Sequence, residues 1–201
     1  MKVQDVLGRR DYALISKLIP TGSRVLDLGC GDGALLAFLK ATKRIEARGI
    51  ELNPEMVQAA VARGVSVYQG DLEGSLREYP DKAFDYVLLS QTVQETRRPL
   101  MVLTEMLRIG NHAIIAFPNF GHWRVRFSHL ISGRAPKTRL FPHAWHASPN
   151  IHFLTVLDFE ELANEQGWLI EQRLFLSGSR RISGFPNLCA EIAVYLLKSQ
   201  R

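Results

Sequence analysis

Three glycines at alternate positions follow a short apolar run and could form a ligand-binding loop. The run is Val25–Leu28, and the glycines are Gly29, Gly31 and Gly33. Glycine permits positive φ angles and lets a ligand approach the backbone closely, and the start of a following helix offers free N–H groups. The G-x-G-x-G spacing departs from the G-x-G-x-x-G of dinucleotide sites, and no Walker lysine follows. We therefore predict a ligand loop that is not a phosphate cradle, with an ordinary tight strand–helix turn as the alternative.

Two acidic residues follow the next two predicted strands. Glu51 ends the second strand, and Asp71 comes just after the third. In a doubly wound sheet the carboxyl ends of neighbouring strands line one crevice, where ligands bind. A carboxylate at the first position can accept both hydroxyl protons of a ribose, and one at the second can accept from an exocyclic amino group such as that of adenine. Leu52 and Leu72 could then supply apolar faces for a base; the alternative is that both acids are solvated loop residues.

Alternating short apolar runs and amphipathic stretches position these residues, a pattern typical of βαβ units and a mostly parallel sheet. Strands are predicted at 24–28, 45–50, 65–69, 84–89, 112–117, 168–175 and 188–197. Helices are predicted at 11–19, 34–40, 99–107, between Asn53 and Gly64, and from a capping box at Asp158 and Glu161. The connection between the last two strands is too short for a crossover helix, so we expect them to pair antiparallel.

The glycine motif and the downstream acids together resemble a known family. The motif D-x-G-x-G-x-G at 27–33, the acid after the second strand, and Gly70-Asp71 after the third are similar to class I S-adenosylmethionine-dependent methyltransferases. The resemblance implies an α/β, Rossmann-like fold with a seven-stranded, mostly parallel sheet and an antiparallel last strand. It also implies that the chain binds S-adenosylmethionine or S-adenosylhomocysteine.

The resemblance assigns roles to residues at the carboxyl ends of the first four strands. It implies that the glycines accommodate the methionine part of the cofactor and that Asp27 lies near its amino group. Glu51 would hold the ribose, Asp71 the adenine, and the residues after the fourth strand would border the sulfonium. The implied cofactor-binding residues are Asp27, Gly29, Gly31, Glu51, Leu52, Asp71, Leu72, Ser90 and Gln91.

Further segments along nearly the whole chain are similar to the MetW family of methionine-biosynthesis proteins. They comprise the glycine loop at 25–33, Leu89–Thr92, Phe117–Trp123, Ser148–His152 and Asn187-Leu188. Members of this family resemble methyltransferases in fold and act with a homoserine O-acyltransferase, whereas methyl transfer is not an established feature of the family. The resemblance therefore implies a homoserine O-acyltransferase as the partner of this chain.

A basic, histidine-rich stretch at about 118–157 breaks the alternation of strands and helices. We interpret the chain as one methyltransferase-like domain, 1–201, that carries this stretch as an insert. No acidic residue occurs between Glu105 and Asp158. The same window holds all the histidines and a group of cations: His112, His122, His129, His143, His146, His152, Arg108, Arg124, Arg126, Arg134, Lys137 and Arg139.

Three interpretations of this insert compete. The first is a partner-docking surface, with Trp123, Phe127, Trp145 and Phe153 as aromatic anchors. The second is a cap that binds an anionic acceptor molecule. The third is a nucleic-acid patch, which we rank last because the basic residues are few and form no recognisable RNA-binding motif.

Two functions follow, and whether the chain is an enzyme stays open. The first is an S-adenosylmethionine-binding protein of methionine biosynthesis that acts as partner or regulatory subunit of a homoserine O-acyltransferase. The alternative is a methyltransferase acting on a small anionic molecule, with His122 and His152 as candidate bases. Methyl transfer depends on alignment more than on a dedicated base. A nucleic-acid methyltransferase is disfavoured, since Leu89–Thr92 lacks the Asn/Asp-Pro-Pro-aromatic clamp of amino-group base methylation.

Composition sets the remaining limits. Apolar residues make up 46% of the 201 residues and charged residues 22%, the balance of a globular rather than a disordered chain. No apolar stretch approaches the ~20 residues of a membrane span, and we expect neither a span nor a secretory signal. Cys30 and Cys189 lie far apart, which predicts two reduced thiols in a cytoplasmic protein. No histidine or cysteine spacing predicts a metal site.

Overall fold

The computed structural model describes residues 11–138 and 140–198, so Arg139 of the predicted insert lies outside the described residues. Strands and helices alternate through the first half of the chain, as the pattern of apolar runs predicts. In chain order the elements are α1 (Asp11–Leu18), β1 (Arg24–Leu28), α2 (Ala34–Lys43), β2 (Glu46–Glu51), α3 (Pro54–Ala62), β3 (Ser66–Gln69), α4 (Leu72–Ser75), β4 (Phe84–Ser90), α5 (Pro99–Ile109), β5 (Gly110–Pro118), α6 (Trp123–Ser132), α7 (Val156–Glu165), β6 (Leu169–Ser177), β7 (Arg180–Arg181), α8 (Pro186–Cys189) and β8 (Ile192–Lys198), with 3₁₀ turns at Leu76–Glu78 and Val93–Glu95.

The strands form one sheet in the order β3-β2-β1-β4-β5-β8-β6-β7. The first five strands run parallel to one another, and β8 runs antiparallel to both β5 and β6. The predicted α/β fold, with a mostly parallel sheet and an antiparallel last strand, is therefore confirmed. The sheet of the described residues has eight strands rather than the predicted seven. The extra strand is β7, because a turn at Gly178, whose φ is 56°, brings Arg180 and Arg181 back against the end of β6.

Two boundaries differ from the prediction for local reasons. The last strand begins at Ile192 rather than at 188, because the short helix α8 occupies Pro186–Cys189. Helix α7 begins at Val156, and its capping box is formed by Thr155 and Asp158 rather than by Asp158 and Glu161. The Thr155 hydroxyl accepts from the Asp158 backbone N–H, and the Asp158 carboxylate accepts from the Thr155 backbone N–H at 2.8 Å.

Helices cover both faces of the sheet, and alternate residues of each strand point to opposite faces. On β1, Val25 packs in one apolar cluster, with Ile15 of α1 and Leu36 of α2. Leu26, its neighbour on the strand, packs in the other cluster, with Val102 of α5 and residues of α7. This three-layer arrangement leaves the carboxyl ends of the parallel strands together at one edge. Among the described helices, none has the length and apolar character that crossing a bilayer requires.

The insert is joined to the sheet by the side chain of Asn119, which is fully buried. Its Nδ2 donates to the carbonyl oxygens of Ala190 at 2.8 Å and Asn187 at 3.0 Å. Its Oδ1 accepts from the backbone N–H groups of Gly121 at 3.0 Å and Val156 at 3.3 Å. One amide therefore connects the start of the insert, its end, and the segment that leads into β8.

Replacing Asn119 with alanine is expected to lower the free energy of unfolding by on the order of 3 kcal/mol. The reason is that several buried backbone groups would lose their hydrogen-bond partner. Urea unfolding measures this change. Asn111→Ala is the control, since Asn111 is exposed at the start of β5, and it should cost less than about 0.5 kcal/mol. Equal stability of the two variants would show that Asn119 does not hold the base of the insert.

Candidate functional site

The carboxyl ends of the first four strands open into one cavity of about 990 Å³. That volume is at the upper end of the range of small-molecule and cofactor sites. The lining residues come from the strand ends, the loops after them and one position of the insert: Gly29, Ile50, Glu51, Leu52, Asn53, Pro54, Glu55, Gly70, Asp71, Leu72, Glu73, Thr92, Glu95, Thr96, Arg97 and Ile151. The cavity thus brings together five predicted site residues, namely Gly29, Glu51, Leu52, Asp71 and Leu72.

The glycine loop passes along one wall of this cavity with left-handed backbone angles. The φ angles of Gly29 and Gly31 are 69° and 55°. A methyl group at Gly29 would meet the side chain of Thr92 at 2.8 Å, so Gly29 is required by packing as well as by its backbone angle. A methyl group at Gly31 would meet nothing within 4 Å. Gly31 therefore leaves open space beside the backbone, the feature expected where a ligand approaches the chain.

Replacing Gly31 with alanine tests this space directly. The left-handed angle should cost about 1–2 kcal/mol of stability, and the added methyl should reduce S-adenosylmethionine affinity at least tenfold by occupying the ligand's position. Gly22→Ala is the matched control. Gly22 has a φ of 81°, and a methyl group there would also meet nothing within 4 Å. It lies just before the amino end of β1, away from the cavity. Isothermal titration calorimetry on both variants gives the answer. Equal affinities would mean that no ligand approaches Gly31.

Glu51 joins the glycine loop to the end of β2. Its Oε2 accepts the backbone N–H of Gly31 at 2.8 Å. Its Oε1 accepts the backbone N–H groups of Leu52 and Asn53, both at 2.9 Å. A carboxylate has about four lone-pair positions, so the three backbone donors leave Oε2 able to accept a further hydrogen bond. Glu51 therefore both fixes the loop and presents an acceptor to the cavity.

Asp71 caps the short helix α4 at the end of the neighbouring strand β3, where the Gly70 backbone N–H donates to the Glu51 carbonyl at 3.0 Å. The Oδ1 of Asp71 accepts the backbone N–H of Glu73 at 3.1 Å. Within the described part of the chain, Oδ2 has no hydrogen-bond partner, and the residue is exposed. Leu52 also lines the cavity with 66% of its surface exposed, which offers apolar area to a flat ring. Asp71 thus gives the cavity an open acceptor, and Leu52 gives it an apolar surface.

The cavity is strongly acidic. Its lining includes one arginine, Arg97, and five carboxylates: Glu51, Glu55, Asp71, Glu73 and Glu95. Burial raises the pKa of the Glu95 carboxyl, and the nearby Glu51 charge adds to that shift. Glu73 is neutralised by Arg98, whose Nε lies 2.9 Å from its carboxylate. The remaining negative potential favours a ligand that carries positive charge.

Sequence reasoning missed Thr92, Glu95, Thr96, Arg97 and Ile151. The first four belong to the segment directly after β4, and position alone could have indicated them, since neighbouring strand ends share one crevice. Ile151 reaches the cavity from the insert, for which the sequence carries no signal.

The other predicted cofactor residues, Asp27, Gly31, Ser90 and Gln91, are not among the residues that line the cavity. Asp27 is buried within β1. Ser90 is buried at the end of β4, and its hydroxyl donates to the Asp11 carboxylate of α1 at 3.1 Å. Gln91, the next residue, has a φ of 60°. Its backbone N–H donates to the carbonyl oxygen of Ala116 at 2.7 Å.

The two candidate bases occupy different environments. His122 is 2% exposed. Its Nδ1 accepts the backbone N–H of Arg124, and this hydrogen bond caps the start of α6. Burial lowers its pKa, so it is neutral near pH 7. His152 lies beside the cavity, because its backbone N–H and that of Ile151 donate to the Gln94 carbonyl at 3.0 and 2.8 Å.

Three buried side-chain atoms near this contact have no hydrogen-bond partner among residues 11–138 and 140–198. They are Gln91 Nε2, Gln94 Oε1 and His152 Nε2. Buried polar atoms are seldom left without partners, so this region can accept a polar ligand. No three histidine, cysteine or acidic side chains within the described ranges group to hold a metal ion.

Comparison with solved structures identifies the fold. A methyltransferase from Archaeoglobus fulgidus, described as S-adenosylmethionine-dependent, superposes with a TM-score of 0.71, covering 98% of this chain and 94% of that one at 16% identity. An S-adenosylmethionine-dependent methyltransferase from Mesorhizobium loti superposes with a TM-score of 0.70. The match covers 95% of this chain and 98% of that one, also at 16% identity. At such identities the likeness shows the fold alone.

Comparison of sequences is more specific. The family model described as "Methionine biosynthesis protein MetW" matches residues 9–197. A relative from Rhodopirellula baltica, described as "Bifunctional methionine biosynthesis protein MetXA/MetW", is 37% identical over 94% of this chain. This chain spans 33% of that relative's length. The chain therefore belongs to the MetW family of methionine biosynthesis proteins.

Proposed function

We propose that this chain binds S-adenosylmethionine or S-adenosylhomocysteine in the cavity at the strand ends, and that it acts as partner or regulatory subunit of a homoserine O-acyltransferase. The observation that carries the first part is the cavity itself. Its lining is strongly acidic and joins Gly29 of the glycine loop to two carboxylate acceptors, Glu51 and Asp71, at the ends of neighbouring strands. Glu51 also holds the backbone of Gly31, beside which the space is open.

The residues present fit the parts of this cofactor. Oε2 of Glu51 can accept a ribose hydroxyl, and Oδ2 of Asp71 can accept from the adenine amino group. The apolar surface of Leu52 suits the flat face of the base, and the negative potential suits a sulfonium and an ammonium group. When bound, S-adenosylmethionine supplies an activated methyl group, and the residues of this chain bind and orient it.

The partner is inferred from a relative as well as from the family resemblance. The Rhodopirellula baltica relative carries MetXA and MetW in its name as one bifunctional chain. Units joined in one chain meet at a high effective concentration without any gain in contact strength, which is useful where two units act together. We propose that this chain meets its acyltransferase in the cytoplasm, as expected for a protein with two free thiols.

A regulatory role follows if the two binding events are coupled. Ile151 of the insert lines the cavity, and the same insert carries α6 to the surface. A ligand that binds one arrangement of the insert more tightly shifts the partner's affinity by the same factor. S-adenosylmethionine, a product derived from methionine, would thereby report the state of the pathway.

Titration calorimetry with S-adenosylmethionine and with S-adenosylhomocysteine tests the binding part. We expect saturable binding of both, with tighter binding of S-adenosylmethionine because its sulfonium adds a positive charge within an acidic cavity. Absence of binding for both compounds would refute the proposal.

A second candidate is methyl transfer to a small anionic molecule. The buried Nε2 of Gln91 and the unpartnered Nε2 of His152 favour it, because amide and imidazole N–H groups can donate to an anion. Production of S-adenosylhomocysteine in the presence of small carboxylates, dependent on His152, would support this activity. If none of these carboxylates is methylated, only the role as a subunit of the acyltransferase remains.

A further inference from the structure

Helix α6 presents an apolar face that no described part of the chain covers. Of its ten residues only Val125 is buried. Trp123, Phe127, Leu130 and Ile131 recur at the spacing of one helix face, and their exposed fractions are 46%, 56%, 81% and 69%. Contiguous apolar faces of this kind mark interaction sites in folded proteins.

The helix is nevertheless held firmly at its start. His122 caps it, and Arg126 Nε donates to the carbonyl of Gly121 at 2.6 Å. Asn119 ties the preceding turn to α7 and to the segment that leads into β8. An isolated helix of ten residues is marginal in water, so a partner that covers the exposed face would complete its stabilisation.

A groove of about 630 Å³ lies beside this face. It is lined by Ser128, Ser132, Arg134, Ala135, Lys137 and Trp145. Two of these residues are cationic and none is acidic, and the indole of Trp145 is 80% exposed. The groove therefore offers an aromatic wall and positive charge to an acidic side chain.

We propose that this α6 surface, consisting of the exposed face of α6 and the adjoining groove, is where the homoserine O-acyltransferase docks. The inference rests on the proposed function, since that function supplies the partner. Charge specifies the complementary surface: no acidic residue occurs between Glu105 and Asp158, so the acyltransferase must present an apolar patch bordered by carboxylates. Aromatic and arginine residues at the centre of such a surface are typical anchors.

Of the four aromatic residues predicted to anchor a partner, three belong to the α6 surface and one does not. Trp123, Phe127 and Trp145 are exposed on this surface. Phe153 is also 55% exposed, but its ring packs on that of Phe120 at a distance of 4.7 Å. Phe153 belongs to the base of the insert. It should therefore matter for stability more than for docking.

The binding constant for the acyltransferase of the same organism tests the proposal. Leu130→Asp and Ile131→Asp place a negative charge at the centre of the surface without disturbing a buried contact, and each should weaken the complex at least tenfold. Arg134→Glu should weaken it most at low salt, because the charges that steer association are screened as salt rises. Val61→Asp is the matched control, since Val61 is an apolar residue of α3 that is 56% exposed, and the variant should bind like the wild type. S-adenosylmethionine affinity, measured on every variant, verifies the fold.

Each outcome decides a different point. Loss of the complex in the α6 variants with unchanged cofactor binding supports the proposal. A wild-type complex that all the α6 variants retain overturns the docking surface and leaves the proposed function standing. Absence of a complex with the wild-type chain overturns both the docking surface and the proposed role as a partner of the acyltransferase. Sedimentation would reveal a self-association that Leu130→Asp abolishes while acyltransferase binding persists, and this result would reassign the surface to a second copy of the chain.

Discussion

Replacing Asp71 with asparagine is expected to weaken S-adenosylmethionine binding about 10- to 100-fold while preserving the fold. A hydrogen bond to a charged group contributes about 1.5–3 kcal/mol, and about 1.4 kcal/mol corresponds to a factor of ten. Asparagine caps helices as well as aspartate does, so the contact with the Glu73 backbone N–H persists through the amide oxygen. The other position then carries an NH₂ group, which cannot accept from the adenine amino group.

The control for Asp71→Asn is Glu46→Gln. Glu46 is exposed at the amino end of β2, so the variant removes one negative charge at the opposite edge of the sheet. Calorimetry should show wild-type affinity for the control. If the two variants bound S-adenosylmethionine equally well, Asp71 would have no direct contact with the ligand.

Replacing Glu51 with alanine should have the larger effect, at least about a 100-fold loss of affinity together with reduced stability. The ribose would lose its acceptor, and three backbone N–H groups, of Gly31, Leu52 and Asn53, would lose theirs. Each unpaired donor that stays buried costs about 1–3 kcal/mol. Calorimetry and urea unfolding measure the two consequences separately.

Glu51→Gln separates the structural role of Glu51 from the ligand contact. Its amide oxygen can still accept the N–H groups of Leu52 and Asn53, while its NH₂ group would face the Gly31 N–H. We expect stability between those of alanine and glutamate, with affinity still reduced about tenfold. A Glu51→Ala protein that is folded at the assay temperature and binds with wild-type affinity would contradict the ribose assignment.

Much of the fold follows from local patterns. The apolar runs of the parallel strands, the Asn53 cap with Pro54 after it, and the glycines with left-handed angles are all determined within a few residues. The placement of Glu51 and Asp71 in one cavity follows as well, because parallel strands that follow one another end at one edge. These features are predictable because they depend on short stretches of chain and on one topological rule.

Features that depend on distant contacts were not predictable. Helix α6 is missing from the predicted elements, although Trp123, Phe127, Leu130 and Ile131 have the spacing of one helix face. What the sequence could not show is that this face stays exposed in the fold. The function of Asn119 depends on carbonyl oxygens near residue 190, and Ile151 reaches the cavity through hydrogen bonds to Gln94. The predicted start of α7 is too late for a local reason: Thr155–Asp158 and Asp158–Glu161 both have the spacing of a capping box, and the structure uses the first pair.

The most direct test of the account is the rate of homoserine acylation by the acyltransferase of the same organism. The rate is measured with and without this chain, and with and without S-adenosylmethionine. The account predicts that the rate changes when the chain is added, that S-adenosylmethionine alters the effect, and that Asp71→Asn loses the response to S-adenosylmethionine while retaining the effect of the chain. An acylation rate that the chain leaves unchanged at every S-adenosylmethionine concentration, with no complex formed, would contradict the account.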